Sequence, residues 1–335
     1  MDKHVIVMVG LTMLVLAGLL PAMAAEDEQG FLGIITGDAK GTAHQIGMDL
    51  KGLVIRSNIH LAVFNSNGSV ENIYAVYQRP GNHLGLVQAD VLAFVAKVKS
   101  DPRLRLIAGK IKWVYPLYNQ EIHLLGKKEI RSLSDLDNRR VAIGHAESGT
   151  YLTSRLIFEI AGVRPRQMVA IGNSQALAAL KAGSIDAMLT VDGFPVERLA
   201  LEVSPADGFH LIPITHEGIR AFYPAARIPA GTYPWQAVDV DTVSVKALLV
   251  AYDFRNHHCN TIGNVAWLIS QNLDWLRLNG HPKWDSVDLN EPVNESEQYP
   301  CVKNFIPTAK EAKAETSLDQ EPNPVADAIQ AVFRP

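Results

Sequence analysis

The chain has 335 residues, with 31 Lys and Arg against 35 Asp and Glu and a formal net charge of −4. Acids and bases are interspersed, so the sequence lacks both the basic stripe of a nucleic-acid binder and the polybasic patch of a membrane-surface protein. The length is too great for one ordinary core and suits two domains.

Residues 1–24 read as a secretory signal peptide. Lys3 and His4 precede an apolar run from Val5 to Leu20, Pro21 breaks the run, and Ala22-Met23-Ala24 forms a small-x-small exit. The alternative is an N-terminal membrane anchor, but the run is short against the roughly 20 apolar residues of a spanning helix. No cysteine stands near the exit to carry a lipid. The expectation is export to the periplasm with cleavage after Ala24.

Phe31 to Ile35 then predicts a strand, followed by the loop from Thr36 to Thr42 and a helix through Ile46, Leu50 and Val54. Leu61 to Phe64 predicts a second strand, opening into Asn65-Ser66-Asn67-Gly68-Ser69 and a helix through Val70, Ile73 and Val76. A third strand, Leu84 to Val87, ends at Gln88-Ala89-Asp90 before a helix carrying Val91, Phe94, Val95 and Val98. Strand, polar glycine loop and amphipathic helix in repetition is the pattern of a parallel sheet covered by helices.

Leu104 to Ala108 and Ile122 to Leu125 read as further strands. Val141 to Gly144 is a strand that runs through Ser148-Gly149-Thr150 into a helix from Tyr151 to Ala161, with Gly162 as its cap. Val169 to Ile171 and Ile185 to Leu189 are strands around a helix from Ser174 to Ala182, and the second of them ends in Asp192-Gly193-Phe194-Pro195. The same logic thus restarts within residues 120–240, as in a second domain inserted into the first. Val243 to Ala251 would return the chain to the first domain, and Asn260 would cap the helix through Val265 and Leu276. The organisation expected is 25–120 and 241–307 for one lobe, 121–240 for the other, and a poorly packed tail over 308–335, rich in prolines and charges.

Cys259 and Cys301 are the two cysteines of the chain. In an oxidising compartment an even pair suggests one disulfide, with two buried thiols as the alternative. A metal site at His257-His258-Cys259 is weaker, because neighbouring residues on one element cannot easily converge on one ion. No cofactor or metal is expected.

Searches for catalytic motifs fail. The sequence has no G-x-S-x-G elbow and no S-x-x-K, and Arg220 stands where a zinc-protease helix beginning at His216-Glu217 needs its second histidine. Lys40 precedes Gly41, so the first loop is not a phosphate-binding P-loop. What remains is three loops at strand ends that lead into helix starts: Gly37 to Thr42, Ser66 to Ser69, and Ser148 to Thr150. Ligands of open parallel sheets bind beyond the carboxyl ends of strands, and a helix N-terminus offers unpaired N–H groups to an anion. Each loop alone is an ordinary capped turn; three, split over two domains, point to a ligand cleft.

On these residues the chain resembles the TAXI-type solute-binding subunits of tripartite ATP-independent periplasmic (TRAP) transporters. Asn67-Gly68-Ser69-Val70-Glu71-Asn72-Ile73 matches one family block, and Ser134-Asp135-Leu136 through Gly144 and Ser148-Gly149-Thr150 a second. Gly183-x-Ile185-Asp186-Ala187 with Gly193-x-Pro195, and Gly231-Thr232-Tyr233, match two more. The resemblance covers about residues 30–285. It implies an α/β type II periplasmic binding protein in which two α/β lobes close on a small carboxylate, glutamate- or 2-oxo acid-like, and present it to an integral-membrane permease. One departure is the segment after Thr42, Ala43-His44-Gln45-Ile46-Gly47, where the family carries two tyrosines. The candidate ligand contacts are Gly37, Lys40, Thr42 and His44; Ser66, Gly68, Ser69 and Asn72; Gln88 and Asp90; Ser148, Gly149 and Thr150; and Asp192 and Gly193. For Asp90 and Asp192 helix capping is the alternative role. A monomer is expected. A ligand-sensing subunit that faces a membrane kinase, and an enzyme on the same scaffold, are the alternatives in other functional classes.

Overall fold

The computed structural model describes residues 31–97, 102–253, 258–293 and 296–305. The expected signal peptide and the tail from 308 lie outside the described residues. The first unit is β1 (Phe31–Ile35), α1 (Thr42–Val54), β2 (His60–Phe64), α2 (Ser69–Gln78), β3 (Leu84–Gln88), α3 (Ala89–Lys97) and α4 (Pro102–Ala108). The long strand β4 (Ile111–Lys127) leads into β5 (Arg140–Ala142), α5 (Gly149–Ala161), β6 (Gln167–Val169), α6 (Asn173–Lys181) and β7 (Ala187–Asp192). Next come α7 (Glu197–Glu202), β8 (Phe209–Leu211), α8 (Glu217–Arg220) and β9 (Ala225–Ile228), before the second long strand, β10 (Val240–Tyr252). Helices α9 (Cys259–Gln271), α10 (Leu273–Asn279) and α11 (Pro300–Phe305) complete the described chain.

The strands order as β2-β1-β3-β10-β4-β7-β5-β6, with β8 on β4 and β9 on β10. β1 pairs parallel with β2 and β3, and β5 parallel with β6 and β7. The two long strands run antiparallel to their neighbours and tie these parallel sets together. β10 pairs β3 through Ala247–Ala251 and β9 through Val240–Val243, while β4 turns from β10 to β7 at Glu121. The buried apolar side chains change sides at the same points. Val114, Tyr115, Leu117 and Tyr118 of β4 pack with α1 and α9, whereas Ile122 and Leu124 pack with β7 and α5. Val243 and Val245 of β10 belong to the second core and Ala247 and Leu249 to the first. Two α/β lobes crossed by two shared strands make the type II periplasmic binding-protein fold.

Three sequence expectations need correction. Leu104 to Ala108 is helical, not a strand. Pro102 occupies the first helical position, where its missing N–H is harmless, and the buried residues Leu104, Ile107 and Ala108 follow a helical period while Leu106 is exposed. The strands expected at 169–171 and 185–189 are displaced by about two residues, to 167–169 and 187–192. Asn260 lies inside α9, which His258 precedes in a left-handed conformation. Cys259 and Cys301 form a disulfide, with Cα atoms 5.4 Å apart, that ties α11 to the start of α9.

Candidate functional site

A cavity of about 140 Å³ lies between the lobes at the carboxyl ends of β1, β3 and β7. It is small beside the pockets of drug-sized ligands and suits a small metabolite. Four helices begin at its wall: α1 through Gly41 and Ala43, α2 through Gly68 and Ser69, α5 through Ser148, Gly149 and Thr150, and α6 through Gly172 and Asn173. Two of them come from each lobe.

The starts of α2 and α5 face each other across the cleft. A Cβ on Gly68, whose φ is +130°, would stand 3.0 Å from Ser148 Cα and 3.5 Å from Gly149 N. The left-handed φ and this close approach both demand glycine there. Val70 N also donates to Glu147 O across the gap at 3.2 Å. At α5, Ser148 Oγ accepts from Tyr151 N at 3.1 Å and donates to His145 O at 2.7 Å, so this hydroxyl is committed to its own helix. Thr150 Oγ1 accepts from Val191 N at 3.1 Å and keeps its proton to donate. The N–H groups of Gly149 and Thr150 lie in the first turn, where no intrahelical acceptor exists. Two opposed helix starts, each carrying a partial positive charge, repel unless an anion sits between them.

Among the described residues no Lys or Arg lines the cavity. Its ionisable groups are Asp38, His145 and Asp192. Asp38 is held by the Arg198 guanidinium at 2.8 Å. Asp192 accepts from Thr42 N at 3.1 Å and from Gly193 N at 2.9 Å, and it makes no ion pair among the described residues. Burial pushes its carboxyl up to about 7, against the pull of the Thr42 and Gly193 N–H groups.

The structure brings Gly37, Ser66, Gly68, Ser69, Gln88, Ser148, Gly149, Thr150 and Asp192 to this cavity. The other candidates stand elsewhere. Lys40 pairs with Glu202 at 2.9 Å on the rim. Thr42 is fully buried, its hydroxyl donating to Gly193 O and its N–H to Asp192, so Thr42 and Gly193 join the lobes rather than line the cavity. His44 Nδ1 meets Thr36 Oγ1 at 3.4 Å. Asn72 is buried beneath the wall and donates to Thr36 O and Leu86 O, holding β1 to β3. Asp90 turns away toward Thr153 and Tyr223. The sequence reasoning missed Gln120, His145, Gly172 and Asn173. Gln120 interrupts an apolar strand, and Gly172-Asn173 repeats the glycine-to-helix signature of the loops already singled out.

Below the cavity, at the crossover of β4, Lys283 Nζ meets Glu121 Oε1 at 2.7 Å with both side chains buried, and it stands 3.7 Å from the Phe194 ring centroid. Burial raises the Glu121 carboxyl and lowers the Lys283 ammonium, and each offsets the other. His123, bonded to Tyr233 at 2.8 Å, is pushed by burial to about 4 and is neutral at pH 7.

These features define a periplasmic binding-protein fold with a small inter-lobe cavity. The chain belongs to the NMT1-like family, whose family model matches residues 34–272. Solved structures share the fold. MatC from Rhodopseudomonas palustris, with bound malate, is 18% identical over 90% of this chain and 97% of its own, at a TM-score of 0.52. The periplasmic binding protein BugD is 10% identical over 77% and 85% of the two chains, at 0.51. A protein from Bordetella bronchiseptica RB50 is 14% identical over 91% and 90%, also at 0.51. Among the described residues no helix is long and apolar enough to cross a membrane.

Proposed function

We propose that the chain is an exported solute-binding protein of the TAXI type, which captures a small carboxylate between its lobes and delivers it to an integral-membrane TRAP permease. One lobe comprises residues 25–120 and 241–307 and the other 121–240, with residues 1–24 removed on export. The observation that carries this reading is the convergence of four helix N-termini, two from each lobe, on one cavity with no lysine or arginine among the described residues of its wall. Such a wall holds an anion through backbone N–H groups and helix dipoles, and these donate in forked geometry to a planar carboxylate. The carboxylate docks at Gly149 and Thr150, facing Gly68 and Ser69. Asp192, close to neutral pH in its titration, either accepts from a hydroxyl or ammonium on the ligand or, protonated, donates to a second carboxyl group. Because the docking groups come from both lobes, the closed form gains the full interaction and the open form only part of it, which is how a ligand drives closure.

Malate bound to MatC agrees with this choice of ligand class. The test of the transport assignment is uptake of a labelled carboxylate into vesicles that contain a TRAP-type permease. Uptake should require the binding protein and fail with the Gly149→Val variant. Uptake that proceeds equally without the binding protein would refute the permease partnership.

A further inference from the structure

The anion dock and a buried carboxyl group lie side by side in the cavity. Thr150 Oγ1, in the first turn of α5, accepts from Val191 N at 3.1 Å. Asp192 is the next residue of β7, and successive residues of a strand stand about 3.3 Å apart along it. Asp192 lines the same cavity of about 140 Å³ and is 6% exposed. A solute carboxylate held by the Gly149 and Thr150 N–H groups therefore meets the Asp192 carboxyl at short range. Asp192 Oδ2 accepts from Thr42 N and Oδ1 from Gly193 N, which leaves each oxygen a second lone pair.

Among the described residues the nearby cations are committed elsewhere. Lys283 pairs with Glu121 at 2.7 Å, Arg198 with Asp38 at 2.8 Å and Glu202 at 3.2 Å, and Lys40 with Glu202 at 2.9 Å. The ionisable groups that act on Asp192 are Asp38 from the loop before α1, Tyr118 and Glu121 from β4, Tyr233 and Lys283. Burial pushes both tyrosine hydroxyls far above their ordinary range, so they stay neutral at pH 7. His145 also lines the cavity, with Nδ1 accepting from Glu147 N at 3.3 Å.

We infer that Asp192 grips the solute as a carboxylic acid: capture draws one proton from the solvent, Asp192 carries it, and its O–H donates to an oxygen of the docked carboxylate. The proton returns to solvent when the solute leaves. This rests on the carboxylate capture proposed above. Two carboxylates side by side in a small buried site cannot both stay ionised without a cation between them. The proton goes to Asp192 because the solute oxygens face helix N-termini, which favour negative charge, whereas Asp192 is buried and already pushed up to about 7. The same geometry selects among carboxylates. An ammonium beside Asp192 would hold it ionised and expel its proton, so the wall favours hydroxy and oxo acids over amino acids.

Calorimetric titration with malate, 2-oxoglutarate and L-glutamate at about pH 8, in two buffers of different ionisation enthalpy, counts the protons exchanged on binding. Free Asp192 is mostly ionised there, so uptake should approach one proton per malate or 2-oxoglutarate bound. Affinity for these acids should fall by up to about tenfold per pH unit above about 7, and L-glutamate should bind more weakly than either. Asp192→Asn should lose the uptake and the pH dependence together, while the uptake should persist in His145→Gln whatever its affinity. Circular dichroism checks that each variant folds, and the wild-type proton count decides the matter if Asp192→Asn does not. Binding of malate or 2-oxoglutarate without proton uptake would overturn the role of Asp192 while leaving carboxylate capture standing. So would loss of the uptake in His145→Gln instead of Asp192→Asn, or tightest binding of L-glutamate with proton release. Failure of all three acids to bind would count against carboxylate capture itself, and this inference would fall with it.

Discussion

Replacing Gly149 by Ala tests where the lobes grip. The added methyl would overlap Gln88 Oε1 and Cδ and stand 3.1 Å from Nε2. Gln88 is 4% exposed and its N–H is tied to Ser69 Oγ at 3.1 Å, so its base cannot retreat and its amide has little room to swing. Overpacking of this kind costs about 1–3 kcal/mol. Gln88 belongs to the first lobe and Gly149 to the second, so the penalty falls on the closed state and spares the open one. Affinity that depends on closure should therefore drop about 5- to 150-fold, at 1.4 kcal/mol per factor of ten. The thermal midpoint of the ligand-free protein should move little. Calorimetric titration with a carboxylate that binds wild type, beside circular dichroism of the variant, makes the comparison. Affinity within twofold of wild type in a folded Gly149→Ala protein would refute the placement of this contact in the closed cleft.

The remaining predictions concern stability. Burial raises the Asp192 carboxyl to about 7, well above the ordinary carboxylate range, so the folded state holds its proton longer than the unfolded chain does. The stabilisation this gives is complete below about pH 4 and is lost as the pH rises toward 7, a swing of a few kcal/mol at most. Asp192→Asn should flatten that part of the profile in urea titrations, and an unchanged slope between pH 4 and 7 would contradict it. Lys283→Met leaves Glu121 buried without its partner and should cost about 3–5 kcal/mol, with part recovered in the Lys283→Met/Glu121→Gln double variant. Equal stability of the single variant and wild type in denaturant unfolding would show that the pair is not buried as described. The Cys259–Cys301 bridge spans 42 residues and should contribute about 4 kcal/mol or less. Intact mass should rise by two hydrogens on reduction, and two alkylatable thiols in protein purified without reductant would exclude the bridge.

The loops that carry the site were legible in the sequence because their chemistry is local. A strand, a glycine, a hydroxyl residue and a helix start are adjacent in the chain at 66–69 and 148–150, and the structure places both segments on the cavity. What each side chain then does depends on residues far away. Thr42 reads like a ligand hydroxyl, yet its partners are Asp192 and Gly193, about 150 positions later. Asp90 sits one turn from the cavity but is claimed by Thr153 and Tyr223 of the other lobe. Asn72 holds two strand carbonyls together instead of facing the ligand. Gln120 escaped notice because it lies within a long strand and not at a strand end. The misread helix at 102–108 has the same origin. Leu104, Leu106 and Ile107 fit a short strand until Leu106 proves to face water.

The most direct test of carboxylate capture is a thermal-shift series on the purified protein with small carboxylic acids, malate and glutamate among them, each matched to its uncharged amide. Saturation at about 100 times the dissociation constant would stabilise the fold by roughly 2.7 kcal/mol. At least one acid should raise the unfolding midpoint, its amide should not, and Gly149→Val should abolish the rise. A series in which no acid stabilises the protein, or in which acid and amide stabilise it equally, would contradict a cavity built around a carboxylate.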